Sequence, residues 1–343
     1  MTAPEVMRRM ITGFVVTQAV YVMAKLGIAD LLTRDLPTSV EAIAEQVSAQ
    51  RDPLYRVLRL LAGLGLLSET QPGQFVLTDL GDTLTDDAPG SVRHAAIMFA
   101  ELPYRASGAM LHTVLTGQTA FDHEFDAGHE HYLEAHPADA ATFNTAMRQL
   151  TAIVDEEISA AIDLTCVEAI VDVGGGLGGL LVAVLRVNPH LRATLVEQGS
   201  VVEGARRTLS EAGFAERVNV VEGNIFERVP AASFYVMKSV LHAWPDREAA
   251  QILRTCLASA AVGGRICVVE RVVPEDDALL YPKLNDLIML TVTGGRERTT
   301  AEYRSLFEMA GLTLTDVRPT ASGFSVLIAT SAVSASQPIA EPR

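Results

Sequence analysis

The segment "VMKSVLHAWPD" contains His242, with Lys238 four residues before it and Trp244 two residues after it. Two carboxylates fall in telling places downstream. Glu270 ends an apolar run, 28 residues on, and Glu297 lies in "GGRERT". An acid beside an imidazole orients the ring and favours its protonated form. Such an imidazole can take the proton of a phenol or an alcohol as that oxygen attacks an electrophile. Taken alone, a histidine beside a tryptophan is more often structural, and either glutamate alone could be a surface or strand-end charge. The reading of a catalytic cluster depends on all three converging.

A second stretch supplies the electrophile. "IVDVGGGLGG" contains G-x-G-x-x-G as Gly174, Gly176 and Gly179. The run before it has the composition of a strand and "LLVAVLRV" after it that of a helix. Glycines let the backbone turn tightly and approach a ligand without Cβ atoms in the way. The next strand ends at Glu197, 21 residues beyond Gly176, where a carboxylate can accept from both ribose hydroxyls. The expected ligand is an adenosine-type nucleotide or nucleoside. Asp172, just before the glycines, would meet a methionine ammonium or order the loop for it. The same carboxylate would repel a pyrophosphate. In "EGNIF", Asn224 can read an adenine amino group through its carbonyl oxygen. These features favour S-adenosylmethionine over a nicotinamide dinucleotide, which stays as an alternative.

The elements that must position these residues alternate from Glu168 onward. The short runs "AIVDV", "ATLVE", "VNVVEG", "SFYVMKSV", "RICVVERVV", "LTLTDVRP" and "FSVLIAT" alternate with helical stretches. This predicts an α/β, Rossmann-like, seven-stranded sheet. The link "TASG" between the last two runs is short, so strand seven should run antiparallel beside strand six. His242 then lies at the carboxyl end of strand four, where open α/β sheets place their chemistry.

The first hundred residues read differently. Val15, Ala19, Val22, Met23 and Leu26 form a helical face that Gly27 ends. Thr38 or Ser39 can cap a helix through Val47. Asp52-Pro53 opens another helix, with Leu54, Val57, Leu58 and Leu61 on one face. "LLSETQPGQFVLTDLG" follows as a hairpin with its turn at Pro72-Gly73. That is the outline of a mostly helical, winged-helix-like domain over 1–100. A domain over 101–330 follows, whose part 101–165 is helical with breaks at Gly117, Gly128 and Pro137. The polar stretch 331–343 is expected to be a disordered tail.

Bulk composition narrows the function. The chain has 343 residues, 49% of them apolar and 20% charged, and its net charge is −15. That balance repels nucleic acid and anionic membranes unless a basic patch is segregated. The three cysteines are not clustered, which argues for a reducing, cytoplasmic setting with no disulfide frame and no zinc site. The amino-terminal run reads as an amphipathic helix and not as a signal peptide, and no run reaches the length of a membrane span.

Taken in order and at their spacing, "DVGGGLGG", "EGNIF", "VMKSVLHAWPD", "VVERVVPE" and "GGRERT" resemble the plant caffeate and isoflavone type of O-methyltransferase and its bacterial relatives in secondary metabolism. The resemblance covers nearly the whole chain except the tail. It implies a metal-independent methyl transfer from S-adenosyl-L-methionine to a hydroxyl of an aromatic small molecule. Gly174, Gly175 and Gly176 would lie against the methionine part of the cofactor and Glu197 would hold its ribose. Asn224, Ile225 and Phe226 would meet the adenine. Lys238 and Thr151 would also line the cofactor pocket. His242 would be the base, flanked by Glu270 and Glu297. Met147, Phe143 and Met289 would form the apolar acceptor wall. The amino-terminal domain would make a homodimer. Ala243 departs from the aspartate the family usually has there, which puts a vicinal diol acceptor in doubt. Two other functions compete: the same fold could methylate nitrogen or carbon of an aromatic acceptor, or the first domain could bind DNA as a regulator.

Overall fold

The computed structural model describes residues 1–278 and 280–332. The expected tail therefore lies outside the described residues from 333 on, and Ser331 belongs to the last strand. The chain divides into two compact units, one of residues 1–105 with 136–150 and one of residues 106–135 with 151–343.

The first unit contains α1 (Ala3–Ile11), α2 (Gly13–Lys25), β1 (Thr38–Ser39), α3 (Val40–Gln46), α4 (Arg51–Gly63), β2 (Leu67–Gln71), β3 (Gln74–Leu77), α5 (Asp79–Asp82) and α6 (Arg93–Ala100). The Ser39 hydroxyl accepts from the Ala42 amide and so caps α3, as its type predicts. The hairpin turns at Gly73, whose φ of 77° only glycine adopts freely. It has a third strand that sequence reasoning missed: β1 pairs with β3, giving the order β1-β3-β2. Leu54, Leu58 and Leu61 of α4 join Met23, Ile28, Ile43 and Phe75 in the core of this unit. Val57, expected on the same face, is only partly buried.

Next come α7 (Leu102–Gly108), α8 (Met110–Thr116), α9 (Ala120–Phe125), α10 (His129–Ala135) and the long α11 (Pro137–Ala161), whose residues are shared between the units. The expected breaks at Gly117, Gly128 and Pro137 all separate helices.

The second unit holds β4 (Ala169–Val173), α12 (Gly179–Val187), β5 (Arg192–Glu197), α13 (Gly199–Glu211), β6 (Val218–Glu222), β7 (Ala232–Lys238), α14 (Asp246–Ser259), β8 (Ala260–Arg271), α15 (Leu280–Val292), α16 (Thr300–Met309), β9 (Leu312–Pro319) and β10 (Phe324–Ser331). Its seven strands run in the order β6-β5-β4-β7-β8-β10-β9. The first five pair in parallel, and β10, the seventh strand, runs antiparallel to both β8 and β9. This is the expected doubly wound sheet.

Side chains alternate across a strand, and here both faces are covered. Val171, Val173, Tyr235, Met237, Ile266 and Val268 point to one core, with α14 and α16. Ile170, Phe234, Val236, Cys267 and Val269 point to the other, with α12 and α13. Burial on both faces explains why the central strands read as nearly continuous apolar runs. It also assigns faces to the charges at the strand ends. Asp172 and Lys238 share the parity of Val236 and sit on the α12 face. Glu270 shares the parity of Val268 and sits on the α14 face.

Candidate active site

Two loops at the carboxyl edge of the sheet build the site. They follow the neighbouring strands β4 and β7.

The loop after β4 is shaped by glycine. Gly174 and Gly176 have φ of 68° and 56°. A Cβ on Gly174 would come within 3.0 Å of Val240, in the turn after β7. A Cβ on Gly175 would come within 2.5 Å of Asp172 Oδ2. Around Gly176 there is open space, with nothing within 4 Å of the position a Cβ would take. The loop is thus backed by a carboxylate and bare in front.

Asp172 itself is 1% exposed, and neither carboxylate oxygen has a hydrogen-bond partner. Burial raises its pKa to about 7, against a smaller opposing pull from Lys238. Its position suits ordering the loop from behind. Lys238 forms an ion pair with Asp155 of α11, a residue that sequence reasoning did not single out. The second oxygen of Asp155 would stand 2.9 Å from a Cβ on Gly179. The third glycine of the fingerprint is therefore where α12 makes room for a carboxylate from another helix. Glu197 Oε1 accepts from the Gly176 amide at 3.3 Å and Oε2 from the Gln198 amide at 2.6 Å.

Asn224 Oδ1 accepts from the Phe226 amide at 3.0 Å, and its Nδ2 donates to Glu227 at 3.0 Å. The oxygen expected to read an adenine thus already holds its own loop, with one lone pair left. Ile225 and Phe226 pack on the core of the α14 face. Phe226 meets Trp244 edge-on at 4.7 Å, which joins this loop to the turn that carries His242. Thr151 lies on α11 in the second unit. Phe143 and Met147 lie in the first unit, packed with Ala95, Met98 and Ala146.

The turn after β7 is shaped by charge. Ser239 has φ of 55°, a left-handed conformation rare outside glycine, and a short 3-10 turn over Leu241–Ala243 follows. Glu270, fully buried, accepts through one oxygen from the amides of Val240, Leu241 and His242 at 3.0, 2.8 and 3.3 Å. Its other oxygen stands 3.7 Å from His242 Nδ1, beyond a hydrogen bond. Glu297 makes that bond, with Oε1 2.8 Å from Nδ1. Asn285 of α15, also not foreseen, donates to the same oxygen at 2.5 Å. The Glu297 amide donates to Asp286 at 2.8 Å. Met289 lies in the last turn of the same helix, and its carbonyl accepts from the amides of Thr293 and Gly294.

The two glutamates therefore differ in function. Glu270 holds the backbone of the turn, and Glu297 holds the ring. Burial alone would lower the imidazole pKa, but Glu270 and Glu297 outweigh it and raise it to about 9, with Arg298 pulling the other way. With Nδ1 turned to Glu297, Nε2 is the nitrogen left for an acceptor. Donor atoms of His242, Glu270 and Glu297 lie within 4.8 Å of one another, the set among the described residues that comes close enough to share a cation. An oriented imidazole accounts for that spacing.

The residues fit an adenosyl cofactor that carries a cation and no phosphate. The loop has a bare front, a carboxylate with unpartnered oxygens behind it and a strand-end glutamate beside it. Residues 108–313 match the model of an O-methyltransferase domain and residues 8–87 that of an O-methyltransferase dimerisation domain. The chain belongs to the S-adenosylmethionine-dependent O-methyltransferase family, and it is a methyltransferase. Among its relatives is the phenazine O-methyltransferase PhzM of Lysobacter antibioticus, 40% identical over 94% of both chains. The crystal structure of LaPhzM superposes with a TM-score of 0.93 at 39% identity, covering 96% of this chain and 100% of that one. An O-methyltransferase of neocarzinostatin biosynthesis, solved with S-adenosylmethionine and 2-hydroxy-5-methyl naphthoic acid, superposes at 0.82 with 32% identity over 92% and 96%. A more distant relative from Streptomyces davaonensis, 29% identical over 90% and 89%, is an 8-amino-8-demethylriboflavin N,N-dimethyltransferase.

Proposed function

We propose that this enzyme methylates a hydroxyl of an aromatic small molecule, with His242 as the general base. The observation that carries this reading is the 2.8 Å bond between His242 Nδ1 and Glu297, which commits Nε2 to the acceptor. S-adenosylmethionine supplies the activated methyl group. Gly174, Gly175, Gly176, Glu197, Asn224, Ile225, Phe226, Lys238 and Thr151 would hold it, with Asp172 behind the loop. The chain does the rest by alignment and proton transfer.

A free phenol has a pKa near 10 and is a poor nucleophile at neutral pH. His242 Nε2 accepts its proton as the oxygen attacks. The imidazolium that forms donates through Nδ1 to Glu297. A base of pKa about 9 is nearly matched to a phenol. The cost is that only roughly one enzyme in a hundred holds the neutral ring at pH 7, so the rate should climb with pH.

One relative is named a phenazine O-methyltransferase and another was solved with a naphthoic acid bound, which supports a flat aromatic acceptor. Met289 would give it an apolar face, and the family resemblance supports Phe143 and Met147 as further contacts. Ala243 lacks the carboxylate that would bind a neighbouring hydroxyl, which favours an acceptor with an isolated one. Domain 1–100 would serve dimerisation and 101–330 the reaction. Three free cysteines suit the cytoplasm, and a net charge of −15 weighs against nucleic acid and membrane partners. Among the described residues no helix is long and apolar enough to cross a membrane.

The test is incubation with S-adenosylmethionine and a panel of hydroxylated phenazines and naphthoates, with product mass and methyl position read out. A methyl ether supports the reading. Methylation at nitrogen, as the riboflavin-type relative's name describes, or at carbon would overturn it.

A further inference from the structure

Among the described residues Arg298 is the largest fully buried side chain, at 0% exposure, yet nothing in the chemistry above uses it. In the sequence it looks like one more cation in "GGRERT". In the fold it grips the turn that carries the base. Its Nη1 donates to the Leu241 carbonyl at 3.0 Å and its Nη2 to the Trp244 carbonyl at 2.9 Å, one on each side of His242. Its Nε donates to Asp246 Oδ1 at 2.9 Å, at the start of α14. The same segment holds the residue between. The Arg296 amide donates to the His242 carbonyl at 2.8 Å, and a Cβ on Gly295 would come within 2.1 Å of that carbonyl oxygen. Arg298 also donates through Nη1 to the Arg296 carbonyl at 3.2 Å, so its planar fork reaches three carbonyls and a carboxylate from one buried centre, more acceptors than the three donors of a lysine can serve.

The charge matters as much as the shape. Glu270 from β8 and Glu297 face the imidazole, and each leaves one buried oxygen without a partner. Tyr303 of α16 lies beside Arg298, its ring 5.9 Å from the guanidinium, and its buried phenol is near the charges of Glu270 and Glu297. Asp286 of α15 acts through the Glu297 backbone, and Asp246 of α14 acts through Arg298. Arg296 is 3.6 Å from Asp246 and is partly exposed. Arg298 is thus a buried permanent cation close to both the imidazole and the buried carboxylate of Glu270.

Resting on the reading of His242 as the base, we propose that Arg298 is a positioning residue for methyl transfer. It clasps both ends of the turn that carries the imidazole, and its charge balances the glutamates so that the ring can shed its proton.

The test compares Arg298→Met, Arg298→Lys and Asp246→Asn with the wild type. The readouts are kcat/KM against pH, kcat and KM separately, and calorimetric affinity for S-adenosylhomocysteine. Arg298→Met should lower kcat about 100-fold, because misplacing a reacting group by about 1 Å costs that much. The rise of kcat/KM with pH that reports the neutral imidazole should move to higher pH by about one unit, because a nearby cation is gone. Affinity for S-adenosylhomocysteine should stay within about twofold of the wild type. Arg298→Lys should lose rate and keep the limb where it was. Asp246 is 42% exposed, so its variant tests the claim even if Arg298→Met does not fold. Asp246→Asn should move the limb the other way, to lower pH. A limb unmoved in both Arg298→Met and Asp246→Asn overturns the proposal, as does a kcat unchanged in Arg298→Met. A limb present in the wild type, absent in His242→Gln and unmoved in these variants contradicts Arg298 alone. A limb that persists in His242→Gln contradicts the base assignment.

Discussion

The two faces of the sheet's carboxyl edge treat buried charge in opposite ways. On the α12 face, Asp172 is sealed behind the glycine loop with both oxygens unpartnered, while Lys238 spends its charge on Asp155. On the α14 face, Glu270 accepts three backbone amides, Glu297 takes the imidazole and Asn285, and Arg298 ties the whole turn. An unpartnered buried carboxylate is costly, and in the proposed reading it lies where a cationic cofactor would be received. A turn braced at nearly every polar atom is rigid, and it holds the group that must be aligned before the reaction. One face is built to take up charge from a ligand, and the other to hold a proton in one place.

The largest expected effect removes the proton acceptor. His242→Gln should lower kcat about 100- to 10,000-fold and leave S-adenosylhomocysteine affinity within about twofold, because the imidazole is not among the groups proposed to hold the cofactor. A parallel loss of affinity would mean that the two faces are not separate. Next in size is Lys238→Met, which leaves Asp155 as an uncompensated buried charge. Breaking such a pair costs about 3–5 kcal/mol, or a drop in Tm of roughly 6 °C or more, seen by calorimetry at neutral pH. A Tm close to wild type would show that Asp155 finds another partner.

Glu297→Gln comes third. It should lower kcat about 10- to 100-fold and move the rising limb of kcat/KM to lower pH. Glu270→Gln should instead show itself in Tm, because its carboxylate braces the backbone. Equal effects of the two substitutions on kcat and on Tm would erase the distinction between ring holder and turn holder. The smallest effect belongs to Asp172→Asn. Burial raises the Asp172 pKa to about 7, above its unfolded value. The stability that goes with the protonated acid is present at low pH and is lost as pH rises through about 7. The variant should therefore gain on the wild type between about pH 4 and pH 7, by roughly 3 °C in Tm, and keep that gain above pH 7. A constant gap would show that Asp172 does not titrate in this range.

The fold was legible above all in the sheet. "AIVDV" and "LTLTDVRP" match β4 and β9 residue for residue, because β-branched and apolar residues over that length suit a strand and little else. The strand β1 was not legible, since a two-residue strand leaves no period to detect. At the site, His242, Glu270 and Glu297 were found from type and spacing, and the structure brings them together. Which glutamate holds the ring and which holds the backbone was hidden, because that depends on single oxygens. Asp155 was hidden by distance, 83 positions before Lys238 and on a helix of ordinary composition. Arg298 was hidden by company. Arginines in a polar turn are usually solvated, and nothing in "GGRERT" marks the second one as fully buried. Asn285 has the same problem inside α15.

The central claim is that His242 takes the acceptor's proton from a turn held by fixed charges. The most direct measurement is the pH dependence of kcat/KM for a phenolic acceptor, wild type beside His242→Gln. His242 has a pKa raised above its unfolded value to about 9, so its neutral form grows as pH rises to that point. The wild type should show a logarithmic rise of unit slope that levels near pH 9, and the variant should show no such limb. A wild-type profile flat up to about pH 9, or the same limb in both proteins, would contradict the assignment of His242 as the base.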